Sequence, residues 1–119
     1  MSSTLDINVS EEKGVSILRL NGPIDASTQK DLETKAEEVI NGGADRLVFD
    51  LTEVSFLASA GLRALNVIAN MFAGDNLTEK FAHIKLLNPS DELRRILKTL
   101  GFDDYIGVYD NLDQAIDSF

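Results

Sequence analysis

The chain has no cysteine and one histidine, His83, in 119 residues. The first absence excludes disulfides, thiol redox chemistry and cysteine-based metal sites. The second leaves a metal centre or a Ser–His pair without its members, so no metal and no cofactor are predicted. No apolar run approaches the roughly 20 residues of a membrane span. The opening MSSTLDINVSEEKG lacks a positive region followed by an apolar core, so no secretory leader is expected and a cytoplasmic protein is. Basic residues are also scarce: 11 Lys and Arg stand against 20 Asp and Glu, for a net charge of −9. That balance repels nucleic-acid phosphates and anionic membrane surfaces. It would speed encounter with a basic protein partner. No Gly-rich phosphate cradle follows a strand, and Gly42-Gly43 reads as a helix stop. Neither paired acids after the first strand nor a nucleophile–base pair is present, so no enzyme is predicted and no catalytic residue is assigned.

The stretch that organises the chain is RLVFDLTEVSFLASAGLRALNVIANMF, Arg46 to Phe72. Leu47, Val48 and Phe49 are consecutive apolar residues, as in a strand covered on both faces. Leu62, Leu65, Ile68 and Phe72 then repeat at a helical period. Between them lies a tight loop centred on Leu57-Ala58-Ser59-Ala60-Gly61. Ser59 sits where the helix begins. There its oxygen can accept the Leu62 N–H as an N-cap, and a phosphate there would lie at the positive end of the helix dipole. Ala58, Ala60 and Gly61 are too small to shield the hydroxyl. Gly61 is a poor helix former, which implies close approach by another backbone or a phosphate donor, or tight packing. Ala60, Ala64, Val67 and Met71 make a second apolar stripe beside the first. A neighbouring helix covers that stripe, or part of it is a partner surface next to Ser59. Arg63, Asn66 and Asn70 are the polar strip of the same helix.

The rest of the chain alternates strands and helices. Thr4–Val9 reads as an edge strand and Val15–Leu20 as its hairpin partner, joined by a turn at Glu11–Gly14 and broken at Asn21-Gly22-Pro23. A helix capped by Ser27 or Thr28 follows, with Leu32, Ala36, Val39 and Ile40 inward and Asn41-Gly42-Gly43 ending it. Next come a strand at Arg46–Leu51 and the central helix. Gly74–Phe81 reads as a polar connection, and Ala82–Asn88 as a strand. Ser90 caps a helix with Leu93, Ile96, Leu97 and Leu100 inward, stopped by Gly101. Tyr105–Tyr109 is a short strand. A last helix opens at Asp110 or Asn111, with Leu112, Ala115, Ile116 and Phe119 inward. Arg94, Arg95 and Lys98 form a basic stripe that is either a solvated face or a dock for an acidic partner. The order β-β-α-β-α-β-α-β-α predicts one α/β domain over residues 1–119, a mixed sheet with alternating helices packed on it.

VFDLTEVSFLASAGLRAL resembles the signature of STAS domains, in particular bacterial anti-sigma factor antagonists. NGPIDAST resembles that family's lead-in to the first helix, and LLNPSDELRRILKTLGFDDYIGVYDNLDQAI resembles its C-terminal half. The resemblance implies a mixed sheet with helices. It also implies that Ser59 is the serine phosphorylated by a partner that is both kinase and anti-sigma factor. Ala58 stands where the family often has Asp or Ser. The Asp matching Asp25 is implied to serve kinase recognition, while as a residue it is equally a turn or cap former.

If the second to fourth strands are parallel, the loops Asp25–Ser27, Ala58–Gly61 and Asn88–Ser90 share one rim, where open α/β sheets place their sites. Asp25 and Ser59 would then be neighbours. Asp50, closing its strand, would order the central loop through backbone N–H groups. The expected partner surface is Asp25, Ser27, Ala58, Ser59, Ala60, Gly61, Arg63, Ala64 and Val67. The expected function is that of an anti-sigma factor antagonist. Unphosphorylated, it binds an anti-sigma factor/serine kinase and releases a sigma factor. Phosphorylation of Ser59 switches it off, and a cognate phosphatase restores it. The alternative is a non-phosphorylated STAS scaffold in a signalling or transport assembly.

Overall fold

The computed structural model describes residues 4–119. Met1–Ser3, part of the opening read as leaderless and of the predicted 1–119 domain, lie outside the described residues. Strands β1 (Asp6–Glu12) and β2 (Val15–Ile24) form an antiparallel hairpin. Lys13 and Gly14 close it with φ of 53° and 78°. Two positive-φ residues match the twist of the flanking strands, so the turn is tighter than the predicted Glu11–Gly14. Leu5, just before this edge strand, is buried, while on the strand Ile7 is half-buried and Val9 exposed, so the apolar side expected there fades outward.

The other elements are α1 (Gln29–Asn41), β3 (Leu47–Leu57), α2 (Ser59–Ala69), α3 (Leu77–Phe81), β4 (Ile84–Leu87), α4 (Asp91–Thr99), a 3-10 turn (Phe102–Asp104), β5 (Gly107–Tyr109) and α5 (Leu112–Asp117). The sheet runs β1-β2-β3-β4-β5, with β2 to β5 mutually parallel. This is the predicted α/β architecture. The crossovers through α1, α2 and α4 all step the same way across the sheet, and a shared hand puts them on one face. The core agrees. Leu18, Leu20, Leu47, Phe49 and Leu86 face Leu32 of α1, Leu65 and Ile68 of α2, and Leu93 and Leu97 of α4. On the opposite face Val15, Ile17, Val48 and Leu87 meet Ala115 and Ile116 of α5. Ser90 caps α4 as expected, and of the two candidates before α5 Asn111 is the cap; they accept the N–H groups of Leu93 and Gln114, each at 3.2 Å.

The largest departure from the sequence reading lies in the middle of the sheet. β2 does not break at Asn21-Gly22-Pro23, and β3 does not stop at Leu51. Both run on to a final pair, Ile24 with Leu57, through register shifts at Arg19/Asn21 and Gly22/Pro23. Such bulges spoil the two-residue alternation that a sequence reading relies on. Gly22 has φ +127°, and a Cβ there would stand 2.5 Å from the Thr4 carbonyl oxygen. It is a close-approach glycine inside a strand and not a turn glycine. Asp50 is therefore mid-strand. Its Oδ1 accepts the Thr52 N–H at 3.0 Å and the Thr52 hydroxyl at 2.6 Å, and its Oδ2 accepts Arg19 Nε at 3.3 Å. It orders the first bulge through one backbone N–H and leaves the loop before α2 to other residues.

Gly74–Phe81 contains α3, whose first turn is held by Asn76 Oδ1 accepting the Glu79 N–H at 3.0 Å. Ala82 and His83 form the exit from that helix, and Asn88 leaves β4 with φ 54°, so the strand is shorter than Ala82–Asn88. β5 likewise begins only at Gly107. Leu100, predicted inward, is 57% exposed. The nine residues of α4 span about 13 Å and the four residues of β4 about the same, so Leu100 lies past the sheet. In urea unfolding, Leu97→Ala should cost about 2–5 kcal/mol, whereas Leu100→Ala should stay within about 0.5 kcal/mol of the parent.

Candidate functional site at the tip of the central strands

β4 pairs with β3 only from Leu47 to Asp50, whereas β2 stays paired with β3 out to Leu57. The ends of β2 and β3 therefore project past β4 by about 20 Å at a normal strand rise. This corrects the three-loop rim. The Asn88–Ser90 loop lies level with Thr52, whose hydroxyl accepts the Asn88 amide at 3.1 Å. The other two loops share the tip. They are joined by a hydrogen bond from the Ala58 N–H to the Ile24 carbonyl at 2.9 Å, which places Ser59 and Asp25 one residue either side of it.

The helix begins one residue earlier than the sequence implied. Ala58, at φ −91° and ψ 173°, is the N-cap position, and no side chain caps α2. Its carbonyl accepts the N–H groups of Gly61 at 2.9 Å and Leu62 at 3.4 Å. Ser59 is thus the first residue of the helix, and its side chain does not perform the predicted capping. β3 runs straight into α2 with Ala58 as the sole connector, so no residue remains to place a serine at the cap. Ser59 is exposed, and no hydrogen bond within the described residues engages its hydroxyl. A phosphoryl group added there would meet the uncapped positive end of the helix.

Gly61 is buried, and an added Cβ would strike Leu57 Cδ1 and lie 2.8 Å from Ile24 Cγ2. Tight packing is therefore what requires glycine here. Ala60 and Ala64 are also buried. Three residues expected on the partner surface, Ala60, Gly61 and Ala64, thus set the helix position and present no side chain outward. Met71 packs on the core, while Val67 is half-buried and outside both core clusters. The outward stripe of α2 is Ser59, Arg63, Asn66 and Asn70, with Val67 beside it. Arg63 stands one helical turn beyond Ser59, and among the described residues it forms no ion pair.

The neighbouring loop is built around Asp25 and Thr28. Thr28 is buried. Its hydroxyl donates to the Pro23 carbonyl at 2.9 Å and accepts the Asp25 N–H at 3.0 Å. Sequence reasoning offered it only as a cap, yet it makes no side-chain cap bond to α1. Asp25 Oδ1 accepts the Ser27 hydroxyl at 2.6 Å and the Ser27 N–H at 2.9 Å. These bonds, the Ser27 hydroxyl foremost, hold the Asp25 carboxyl below the usual carboxylate pKa. The tip therefore carries a fixed carboxylate beside a free hydroxyl. Phe56, 55% exposed and next to last in β3, escapes the sequence reading altogether. The bulges before it hide which way VSFLA alternates. Among the described residues no three His, Asp or Glu side chains gather around a possible metal position, and no helix is long and apolar enough to cross a membrane.

A mixed sheet whose longest pair, β2 with β3, runs parallel and ends at a helix bearing an exposed serine frames the candidate site. The STAS domain pattern matches residues 6–115, and the chain belongs to that family. It is 28% identical over 113 residues to the anti-sigma-F factor antagonist RsfB of Mycobacterium tuberculosis, across 95% of this chain and 88% of that one. It superposes on the crystal structure of an anti-sigma factor antagonist from Mycobacterium paratuberculosis with a TM-score of 0.82 and 26% identity, covering 97% and 93% of the two chains. The fold is shared also with the Bacillus anti-sigma factor antagonist SpoIIAA in its unphosphorylated form, at a TM-score of 0.69 and 20% identity over 94% of each chain.

Gly61→Ala should destabilise the fold by about 1–3 kcal/mol, the usual cost of overpacking, measured by urea unfolding. For Asp25 the folded-state pKa is lowered, so its turn contributes fully above the ordinary carboxylate pKa of about 3.9. That contribution is lost only as pH falls through the lower folded value. NMR titration of the Asp25 carboxyl should give a midpoint below the ordinary one, and Ser27→Ala should move it back up. An unmoved midpoint would refute the role given to the Ser27 hydroxyl.

Proposed function

We propose that this chain is an anti-sigma factor antagonist whose partner contact is switched at Ser59. Unmodified, it binds an anti-sigma factor that is also a serine kinase, and so frees a sigma factor. That kinase, using ATP, transfers a phosphoryl group to the Ser59 hydroxyl and thereby ends the association, and a cognate phosphatase restores it. The observation that carries the reading is the exposed, unengaged Ser59 on the first turn of an uncapped helix, tied to the Asp25 loop through Ala58 and Ile24. The family and its anti-sigma antagonist relatives support the same reading.

The physical logic separates the fate of the fold from the fate of the interface. A phosphoryl group adds about −1.5 to −2 charges. At a helix N-terminus this charge is accommodated, and Arg63 stands one turn away to receive part of it. At a closed protein interface the same charge costs desolvation and repels nearby acids. Asp25, already ionised, keeps the local potential negative, and the chain's net charge of −9 suits a basic partner surface. Ser27, Arg63 and Val67 complete the outward contact.

The test is incubation with ATP and an anti-sigma-type serine kinase from the same genome, followed by mass spectrometry. The chain should gain one phosphoryl group, and Ser59→Ala none. Ser59→Asp should fold with an unchanged thermal midpoint and lose affinity for the kinase. No mass gain, with Ser59→Asp binding as the parent does, would favour the non-phosphorylated scaffold, a reading suited to Ala58 where the family often has Asp or Ser.

A further inference from the structure

We propose that Phe56 is the apolar anchor by which the unphosphorylated chain grips its anti-sigma partner. The proposal rests on the function set out above and adds the residue that supplies the affinity. The surface so far assigned is mostly polar, Asp25, Ser27, Ser59 and Arg63, with the half-buried Val67 its one apolar member. Such groups exchange water for partner contacts at little net gain, and exposed ion pairs add little more. Durable protein contacts draw most of their energy from a few desolvated aromatic or arginine side chains.

Among the described residues, the large apolar side chains that stand exposed are Val9, Phe56, Leu77, Leu100 and Tyr105. Of these, Phe56 alone lies on the β2–β3 overhang. Three features leave it uncovered. Val54 and Leu57 take the inward positions beneath α1 and α2, which turns Phe56 away from that core. β4 ends opposite Asp50 and offers no neighbouring strand at this level. α5 packs at the other end of the sheet, on Val15, Ile17, Val48 and Leu87.

The register then puts the phenyl at the site. Phe56 pairs with Pro23, which is half-buried, and two residues further along the same strands stand Ala58 and Asp25. A phenyl ring, a fixed carboxylate and the Ser59 hydroxyl thus share one tip. The matching partner surface is an apolar pocket rimmed by positive charge. A second copy of this chain is a poor occupant. Symmetric docking would bring two Asp25 carboxylates and two chains of net charge −9 together. The arrangement also explains why a phosphoryl group on Ser59 ejects the partner. A hydrated dianion at the same tip keeps water in the interface that the ring must enter dry.

The experiment is calorimetric titration of the same anti-sigma-type serine kinase, held with a non-hydrolysable ATP analogue. The titrants are the parent chain, Phe56→Ala, Phe56→Leu and Ser59→Asp. Phe56→Ala should weaken binding by about 30-fold or more, the mark of an anchoring aromatic. Phe56→Leu should recover part of that loss. Neither should move the thermal midpoint, because the ring is outside both core clusters. Phe56→Ala binding within about threefold of the parent, while Ser59→Asp fails to bind, overturns the anchor and leaves the proposed function standing. Ser59→Asp binding like the parent overturns the switch itself, whatever Phe56 does. A parent chain that does not bind overturns both. Self-association abolished by Phe56→Ala, with kinase binding unchanged, makes the ring a contact between copies and also overturns the anchor.

Discussion

One short hydrogen bond, from the Ala58 N–H to the Ile24 carbonyl at 2.9 Å, fixes what the tip of this molecule can do. It is the last bond between the β2 and β3 chains, and it forms where each turns into its helix. The contact is possible only because Gly61 has no side chain. Leu57 and Ile24 fill the space a Cβ would need. Remove that packing and the start of α2 must lift off the sheet, taking Ser59 away from Asp25. The rigidity of the site therefore comes from an apolar contact beneath it, and its chemistry from groups that the contact leaves outside.

The same arrangement separates stability from regulation. Residues holding the tip together, Ile24, Leu57, Ala60, Gly61 and Ala64, are buried, and those of the proposed partner surface, Asp25, Ser27, Ser59, Arg63 and Val67, are half-buried or exposed. A charge placed on Ser59 acts on the second set while the first stays dry. Asp50 and Thr52 add a second point of fixation lower on β3, where they hold the bulge and connect through Asn88 to the end of β4. The projecting pair of strands is thus held at its base and closed at its tip, which suits a surface meant to meet another protein without reshaping.

Much of this was legible in the chain. The helical stripes at Leu32–Ala36 and Leu93–Leu97, and the caps at Ser90 and Asn111, follow from local periodicity and local hydrogen bonding, and they stand where the sequence put them. The order of elements gave the sheet. What stayed hidden depended on contacts between distant segments. Gly22 looks like a turn glycine until Thr4 is seen against it. Ser59 looks like a cap until β3 is known to run through to Leu57. Leu100 completes an apolar stripe in sequence, and only the shortness of β4 and β5 leaves it in water. Phe56 was hidden for the same reason as the overhang: two bulges shift the phase of β3, so no alternation rule reaches its last residues.

The central claim is that a charge on Ser59 changes what the tip can touch without changing how the chain folds. The direct test compares amide NMR spectra of the unmodified and Ser59-phosphorylated chain, with the affinity of each for the anti-sigma-type kinase measured on the same samples. The account predicts shifts confined to the Asp25–Thr28 loop, Phe56 and the first two turns of α2, together with loss of binding. Shifts spread through the core around Phe49 and Leu86, or binding that survives phosphorylation, would contradict it.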